Sequence, residues 1–505
     1  MKVAASSLDT MVYPLIHLHA EDSWLRIESK SKRKRQRDEP HSSEQSNGLE
    51  ESGTIRAYLA YRLQKRDGDL GVLRRSRSLF LQWLVDSAVR IIDQNLAFAR
   101  KHQTVLQVCR YDALVNYVHE IAERKGKRPG RIYVMPSNEQ RSERQLFVDY
   151  NDAVRISLEF GPPSLFITFT CNPMWAEVRR ELEDMGMSES DYVYQPDIVN
   201  RVFLAKKHIF MSDVINKCVL GRTQAYVSVD EFQKTGLSHT HLALILDPVD
   251  RPSEPIEVDR ILTAEIPSPE EDAELHNLVM TFMIHRPCDG SCSTRRQTGC
   301  RLGSPDVCKH GFPKNFLEHT FMAKYGPELR RRRGPKYWHR GYRCFVDNRW
   351  VIPYNPRLLR RYRCHLNVLV CATGLPFKYI YGYMDKMKTG DTAHVTRAQY
   401  VERQMGETVI WDEISHFEAM RYIGPSEAVY RIYGQPFGKR SHPVECLPVH
   451  LENEQSIYYR EGEGGEPPMP QNKSKMLAWF DLNRVNPHDE RIRTMLYQDV
   501  VKRFR

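Results

Sequence analysis

Two histidines one residue apart, His239 and His241, stand at the head of an uninterrupted apolar run, Leu242–Leu246. In an extended strand, residues two apart share a face. Both imidazoles therefore point the same way, as a divalent ion requires of paired ligands. The apolar run behind them predicts a strand buried on both faces. Gly236 separates it from Tyr226–Phe232, which predicts a hairpin or short connection. Glu231 and Gln233 then fall on the neighbouring strand, where one of them can reach an ion held by the pair. Mg2+ or Mn2+ suits such a mixed imidazole and carboxylate set.

The chain has 505 residues, enough for two to four domains. Lysine and arginine number 74 against 64 acids, a formal net charge of +10, and their clustering points to an anionic partner. No apolar window is long enough for a transmembrane helix. The N-terminal apolar stretch is broken by His17, His19, Glu21 and Asp22, which is not a secretory signal. Eleven cysteines without such a signal read as thiols and metal ligands, not as a disulfide framework.

Residues 28–53 are polar and read as a disordered linker. Its basic cluster, Lys30 to Arg37, reads as a nuclear localisation signal or a phosphate-contacting tail. Leu79, Phe80, Trp83, Leu84, Ala88, Ile91 and Ile92 recur at helical spacing, and a second helix is predicted over Tyr111–Glu123. Lys125–Gly130 breaks the pattern. Beyond it come a strand over Arg131–Pro136, a helix over Asp149–Glu159, a central strand in LFITFTCNP (165–173) and a helix over Arg201–Lys217. Residues 247–272, rich in proline and acids, read as a surface loop. Cys364–Cys371 reads as a strand and Met476–Arg505 as one or two helices.

Beyond the loop at 247–272, His285, Cys288, Cys292, Cys300, Cys308 and His310 crowd into a stretch too poor in apolar residues to build a core. Thiolates and imidazoles at such density predict a tetrahedral Zn2+ site. Further on, Arg330, Arg331, Arg332, Arg333 and Lys336 lead into Tyr337, Trp338, His339 and Arg340. Such a patch can neutralise phosphates while its rings stack on unpaired bases. In PFKYIYGYMDK (376–386), a helix would put Tyr379 and Tyr383 on one face, four residues apart.

EFQKTGLSHTHLALIL resembles the His-hydrophobe-His motif of rolling-circle replication initiators and relaxases. It is closer still to the replication-initiator region of Helitron transposons, with Thr240 in place of the hydrophobe and Thr235 and Ser238 in place of the usual Arg and Pro. LFITFTCNP, YNPRLLRRYRCHLNVLVC and LPVHLENEQ are similar to further Helitron segments, so the resemblance covers most of residues 54–505. It implies Zn2+ ligation by Cys288, Cys300 and Cys308. Cys292 is taken with them, and His285 and His310 are the other candidates for the fourth place. It also implies that Tyr379 and Tyr383 are nucleophiles, with Lys386 as a proton or charge partner and Lys378 beside DNA. Tyr381 and Gly382 depart from the family, where Phe and Lys are usual.

The expectation is an α+β fold, a Rep/HUH-type antiparallel sheet core flanked by helices. The organisation read is an N-terminal segment (1–53), a helical region (54–130), a nuclease core (131–400) with a zinc-binding insertion (285–316), and a mixed C-terminal region (401–505). The function it implies is metal-dependent nicking and rejoining of single-stranded DNA at transposon ends, in the nucleus. Helitron proteins continue into a helicase domain. No G-x-x-x-x-G-K-[ST] run occurs here to cradle ATP phosphates, so the helicase is expected to be separate or lost, the chain a fragment or a degenerate copy.

Overall fold

A computed structural model describes residues 12–13, 54–64, 71–103, 119–120, 122–124, 126–232, 236–289, 300, 308–324, 326–371, 408–419, 423–445, 447, 449–450 and 474–499. The basic cluster at Lys30–Arg37 and most of the helix predicted over Tyr111–Glu123 lie outside them.

The chain enters its first helices at α1 (Ile55–Arg62), where the Thr54 hydroxyl accepts from the Ala57 amide at 3.2 Å. In α2 (Ser78–Lys101) the predicted stripe is the buried face, with Phe80, Trp83, Leu84, Ala88, Ile91 and Ile92 all inside. Strand β1 (Arg128–Tyr133) and helix α3 (Glu143–Phe160) follow, both starting earlier than the sequence predicts. Ser142 sets the helix start by accepting from the Gln145 amide at 3.1 Å.

Then come β2 (Leu165–Thr170), α4 (Ala176–Asp184) and α5 (Pro196–Met211). Pro196 sits at the first turn of α5, where its missing N–H costs nothing. A π-turn, Ser212–Asn216, leads on to β3 (Thr223–Phe232) and β4 (Ser238–Leu246). The predicted surface loop at 247–272 contains a helix, α6 (Pro255–Ile261), with Val258 fully buried. Its proline and acids are helix-start chemistry: Glu254 and Glu257 form a reciprocal capping box around Pro255.

Helix α7 (Ala273–Phe282) opens a second unit with two small hairpins. One pairs β5 (Phe321–Ala323) with β6 (Gly326–Glu328), the other β7 (Tyr337–His339) with β8 (Cys344–Val346). Its buried cluster runs from Ile266 to Leu359 and holds Val279, Met283, Trp350, Val351 and Tyr354 together with four cysteines. Helix α8 (Pro356–Tyr362), capped by Asn355, leads into β9 (Leu366–Val370). The end of the chain supplies β10 (Thr408–Asp412), α9 (Glu413–Ala419), α10 (Pro425–Ile432), β11 (Gly438–Arg440) and α11 (Lys475–Val485).

Five strands form one antiparallel sheet in the order β11-β3-β4-β2-β9. One face carries Ile167, Phe169, Leu242, Leu244, Leu366 and Val368 into a core with Phe203 and Phe210 of α5. Along the other face, Phe166, Val227, Val229, Ala243 and Ile245 pack on Ala153 and Ile156 of α3. β1 pairs in parallel with β10, and α2 packs against α10, so the N-terminal helices are completed by residues more than 300 positions later.

Candidate metal centres

The second face of the sheet changes character along its length. Side chains alternate across a strand, so the row Ile245, Ala243 on β4 continues as His241, His239. Register sets the neighbours: Glu231 lies opposite His239, Val229 opposite His241, and on the other side Thr170 opposite His239 and Thr168 opposite His241. Glu231 is thus the acid that reaches the pair. Gln233, the other acceptor the sequence offered, lies outside the described residues. Gly236, at φ 79°, occupies a left-handed position that suits glycine just before β4.

The three side chains converge. His239 Nε2 and His241 Nε2 lie 2.9 Å apart, and Glu231 Oε2 is 3.2 and 3.1 Å from them. Ligands about 2.1 Å from an ion and at right angles lie about 3.0 Å apart, whereas a tetrahedral angle spreads them to about 3.4 Å. The triangle therefore has the size of one face of an octahedron. Both histidines are buried, and the Thr168 hydroxyl lies 3.2 Å from His241 Nδ1, holding Nε2 towards the carboxylate. Phe166 stacks on the same ring at 5.5 Å. Burial pushes the Glu231 carboxyl up, but the hydrogen bonds and charge of His239 and His241 outweigh it and hold the group well below the ordinary range.

The reverse side of the same strands holds a clamp that the sequence did not announce. Asp230 is fully buried, and Lys207 Nζ reaches both its oxygens at 2.7 and 2.6 Å. The Thr240 hydroxyl donates to Asp230 Oδ1 at 2.6 Å. Thr240, which departs from the hydrophobe of the motif, thus ties β4 to β3 between the two histidines. The one prior signal was the polar Asp230–Thr240 pair inside apolar strands.

A second cluster lies in the α7 unit. His285, Cys288, Cys300 and Cys308 offer one ligand atom each, all within 4.8 Å of one another. His285 Nε2 is 3.8 Å from Cys288 Sγ and 3.5 Å from Cys308 Sγ. Nitrogen and sulfur on a tetrahedral Zn2+ lie about 3.6 Å apart, so the set has the dimensions of a zinc site. His285 is the fourth member of the described group; Cys292 lies outside the described residues, and the His310 ring stands 5.8 Å from that of His285. Burial, helped by His310 and Lys314, lowers the His285 pKa to about 4, which keeps a neutral lone pair available. Burial pushes the Cys288 thiol up to about 12. At Cys308 burial acts the same way, but the Phe312 and His310 amides and the neighbouring thiols outweigh it and lower the value.

The basic run is divided between the interior and the surface. Arg331 is buried, donating to the Asn348 and Val351 carbonyls at 2.6 and 2.7 Å. Its Nη1 is used inside, where it ties the run to residues 348–351. Arg332 grips Glu265 through two nitrogens at 3.0 and 2.8 Å, and Arg330 approaches the same carboxylate at 3.4 Å. Arg333 and Lys336 remain exposed, Arg333 over the Phe316 ring. Tyr379, Tyr383, Lys378 and Lys386 lie outside the described residues.

Residues 58–244 match the family model for the Helitron helicase-like domain found at the N-terminus. The match takes in Glu231, His239 and His241 and stops before the cysteine cluster. No curated protein matched the chain.

Proposed function

Since the chain is Helitron-related over residues 58–244, we propose that it is a metal-dependent tyrosine nuclease of the HUH kind, nicking and rejoining single-stranded DNA. The observation that carries this reading is the triangle of Glu231, His239 and His241 on a sheet face with further polar groups beside it. Thr168, Thr170 and Asn367 share that face by register, and Thr170 Oγ1, Asn367 Oδ1 and His239 Nδ1 are buried without a hydrogen-bond partner among the described residues. Buried polar atoms left open beside a ligand set are what a phosphate or its water would satisfy.

A bound Mg2+ or Mn2+ would draw charge from the scissile phosphate and so assist attack. Glu231, His239 and His241 would hold it, with His241 oriented by Thr168. The hydroxyl oxygen of Tyr379 or Tyr383 would form the bond to phosphorus as the bond from phosphorus to the 3′ oxygen breaks. The phenolic proton leaves and the departing 3′ oxygen takes one up, so no co-reactant is consumed. Lys386 would supply positive charge or a proton at this step. A phenol with pKa about 10 needs such help at neutral pH. Two tyrosines allow two successive transfers, as moving a strand requires. His285, Cys288, Cys300 and Cys308 would hold a structural Zn2+.

The test is covalent capture of a labelled single-stranded oligonucleotide with Mn2+. The expected adduct forms with the wild-type protein and disappears in both the Tyr379→Phe/Tyr383→Phe and the His239→Ala/His241→Ala variants. An adduct unchanged in the double tyrosine variant refutes the assignment. Salt-sensitive DNA binding with no adduct would instead identify a non-catalytic DNA-binding protein.

A further inference from the structure

The hairpin β7–β8 alternates strictly. Tyr337, His339, Cys344 and Val346 face inward, while Lys336, Trp338, Arg340, Arg343 and Phe345 are exposed. The inner side is bolted down. Tyr337 packs edge-on against His276 of α7, and Cys344 and Val346 join the core that also holds Cys288, Cys300 and Cys308. The turn is braced as well: the His339 and Tyr342 rings stack at 3.9 Å, and the Arg343 amide donates to the His339 carbonyl at 2.8 Å.

The outer side has no such explanation. Trp338 is 52% and Phe345 59% exposed. They sit directly opposite each other in register, with ring centroids 5.2 Å apart and planes at 69°. Lys336, Arg340 and Arg343 flank them along the hairpin, and none of the three is in a salt bridge among the described residues. Arg343 is also held at φ 53°, a left-handed position that glycine or asparagine fills more easily.

We propose that this outer face is a stacking platform for unpaired bases of single-stranded DNA, Trp338 and Phe345 taking the bases and Lys336, Arg340 and Arg343 the phosphates. Bases within a duplex have their faces covered, so exposed rings select an unpaired strand. The surrounding charge selects a polyanion over an apolar protein partner. The platform moves the DNA contact away from Arg330–Arg332, whose guanidiniums are engaged internally, to the far end of the same segment. It deepens the nuclease reading by naming where the strand is gripped.

The test is anisotropy of a labelled oligo(dT), with cysteine-cluster metal content and circular dichroism as fold controls. Trp338→Ala/Phe345→Ala should weaken binding about 5- to 100-fold per ring lost, and Trp338→Phe/Phe345→Tyr should restore it. Lys336→Gln/Arg340→Gln/Arg343→Gln should lower the slope of log affinity against log salt by about 2, at about 0.7 per phosphate. At saturating oligonucleotide the ring variant should still form the tyrosine adduct, so loss of affinity and loss of chemistry are read separately. If wild-type protein forms no adduct yet binds through these rings, the platform stands and the nuclease reading falls. Unchanged affinity in a folded ring variant overturns the platform. So does an equal loss on duplex and single strand, or a change only in self-association.

Discussion

Replacing Lys207 by methionine removes the cation that faces Asp230 on the reverse side of the metal-bearing strands. At 2.6 Å the gross attraction of the pair is about 6 kcal/mol at an effective dielectric of 20. Desolvation of two buried ions offsets most of it, so the pair's net worth is small. Breaking it is another matter. Asp230 is fully enclosed, and a carboxylate left there without its ion-pair partner costs about 3–5 kcal/mol. For a unit of this size that corresponds to a fall in melting temperature of about 6–20 °C. Lys207→Met/Asp230→Asn leaves no ion, and the asparagine carbonyl still accepts from Thr240, so most of the loss should be recovered. Calorimetry on the wild type, both single variants and the double variant measures the coupling, and Mn2+ titration of the same four reports whether the imidazoles hold their spacing. A single variant that melts within about 2 °C of wild type would refute the reasoning, as would a double variant whose loss equals the sum.

Two further outcomes follow from the geometry. Purified protein should carry Zn2+ at His285, Cys288, Cys300 and Cys308; stripping it, or Cys300→Ser/Cys308→Ser, should unfold the α7 unit, since such sites supply on the order of 10 kcal/mol. Trp350, whose ring lies 6.3 Å from His285, provides the fluorescence signal, and a zinc-free protein with unchanged emission and melting would count against the site. Asp213 accepts from the Tyr362 hydroxyl at 2.5 Å and pairs with Lys217 and Arg361. Burial pushes its carboxyl up, but these partners outweigh it and bring the value below the ordinary 3.8. A depressed folded value contributes stability above the unfolded value that is lost as pH falls through the folded one. The stability gap between wild type and Asp213→Asn should therefore hold from neutral pH down to about 5 and close below about 4; a gap that widens on acidification would reverse the sign.

What the sequence disclosed and what it hid divide along physical lines. His239, His241 and Glu231 were legible because strand alternation and a short turn are local. The stripe of α2 was legible because 3.6-residue periodicity is local too. The closure of that helix by Ala428, Val429 and Ile432, and of the sheet by Gly438–Arg440, was not, since nothing near either segment names its distant partner. The partners of the arginine run were hidden for a related reason. Charge alone does not say that Arg331 meets two carbonyls and Arg332 meets Glu265, while Arg343 and Phe345, in no conspicuous run, reach the surface.

Thr240 shows how the two faces of β4 share their work. An apolar residue at that position would bury as well and keep the histidines two apart, so burial does not distinguish the two choices. A hydroxyl between the histidines adds what burial lacks: a directional bond to Asp230 on the adjacent strand, one residue before Glu231. Because a slip of one residue would send every side chain to the other face, fixing Thr240 against Asp230 also fixes His239 opposite Glu231. Specificity of register on one face is thereby converted into ligand spacing on the other, and variants of Lys207, Asp230 or Thr240 should disturb metal affinity without touching a ligand.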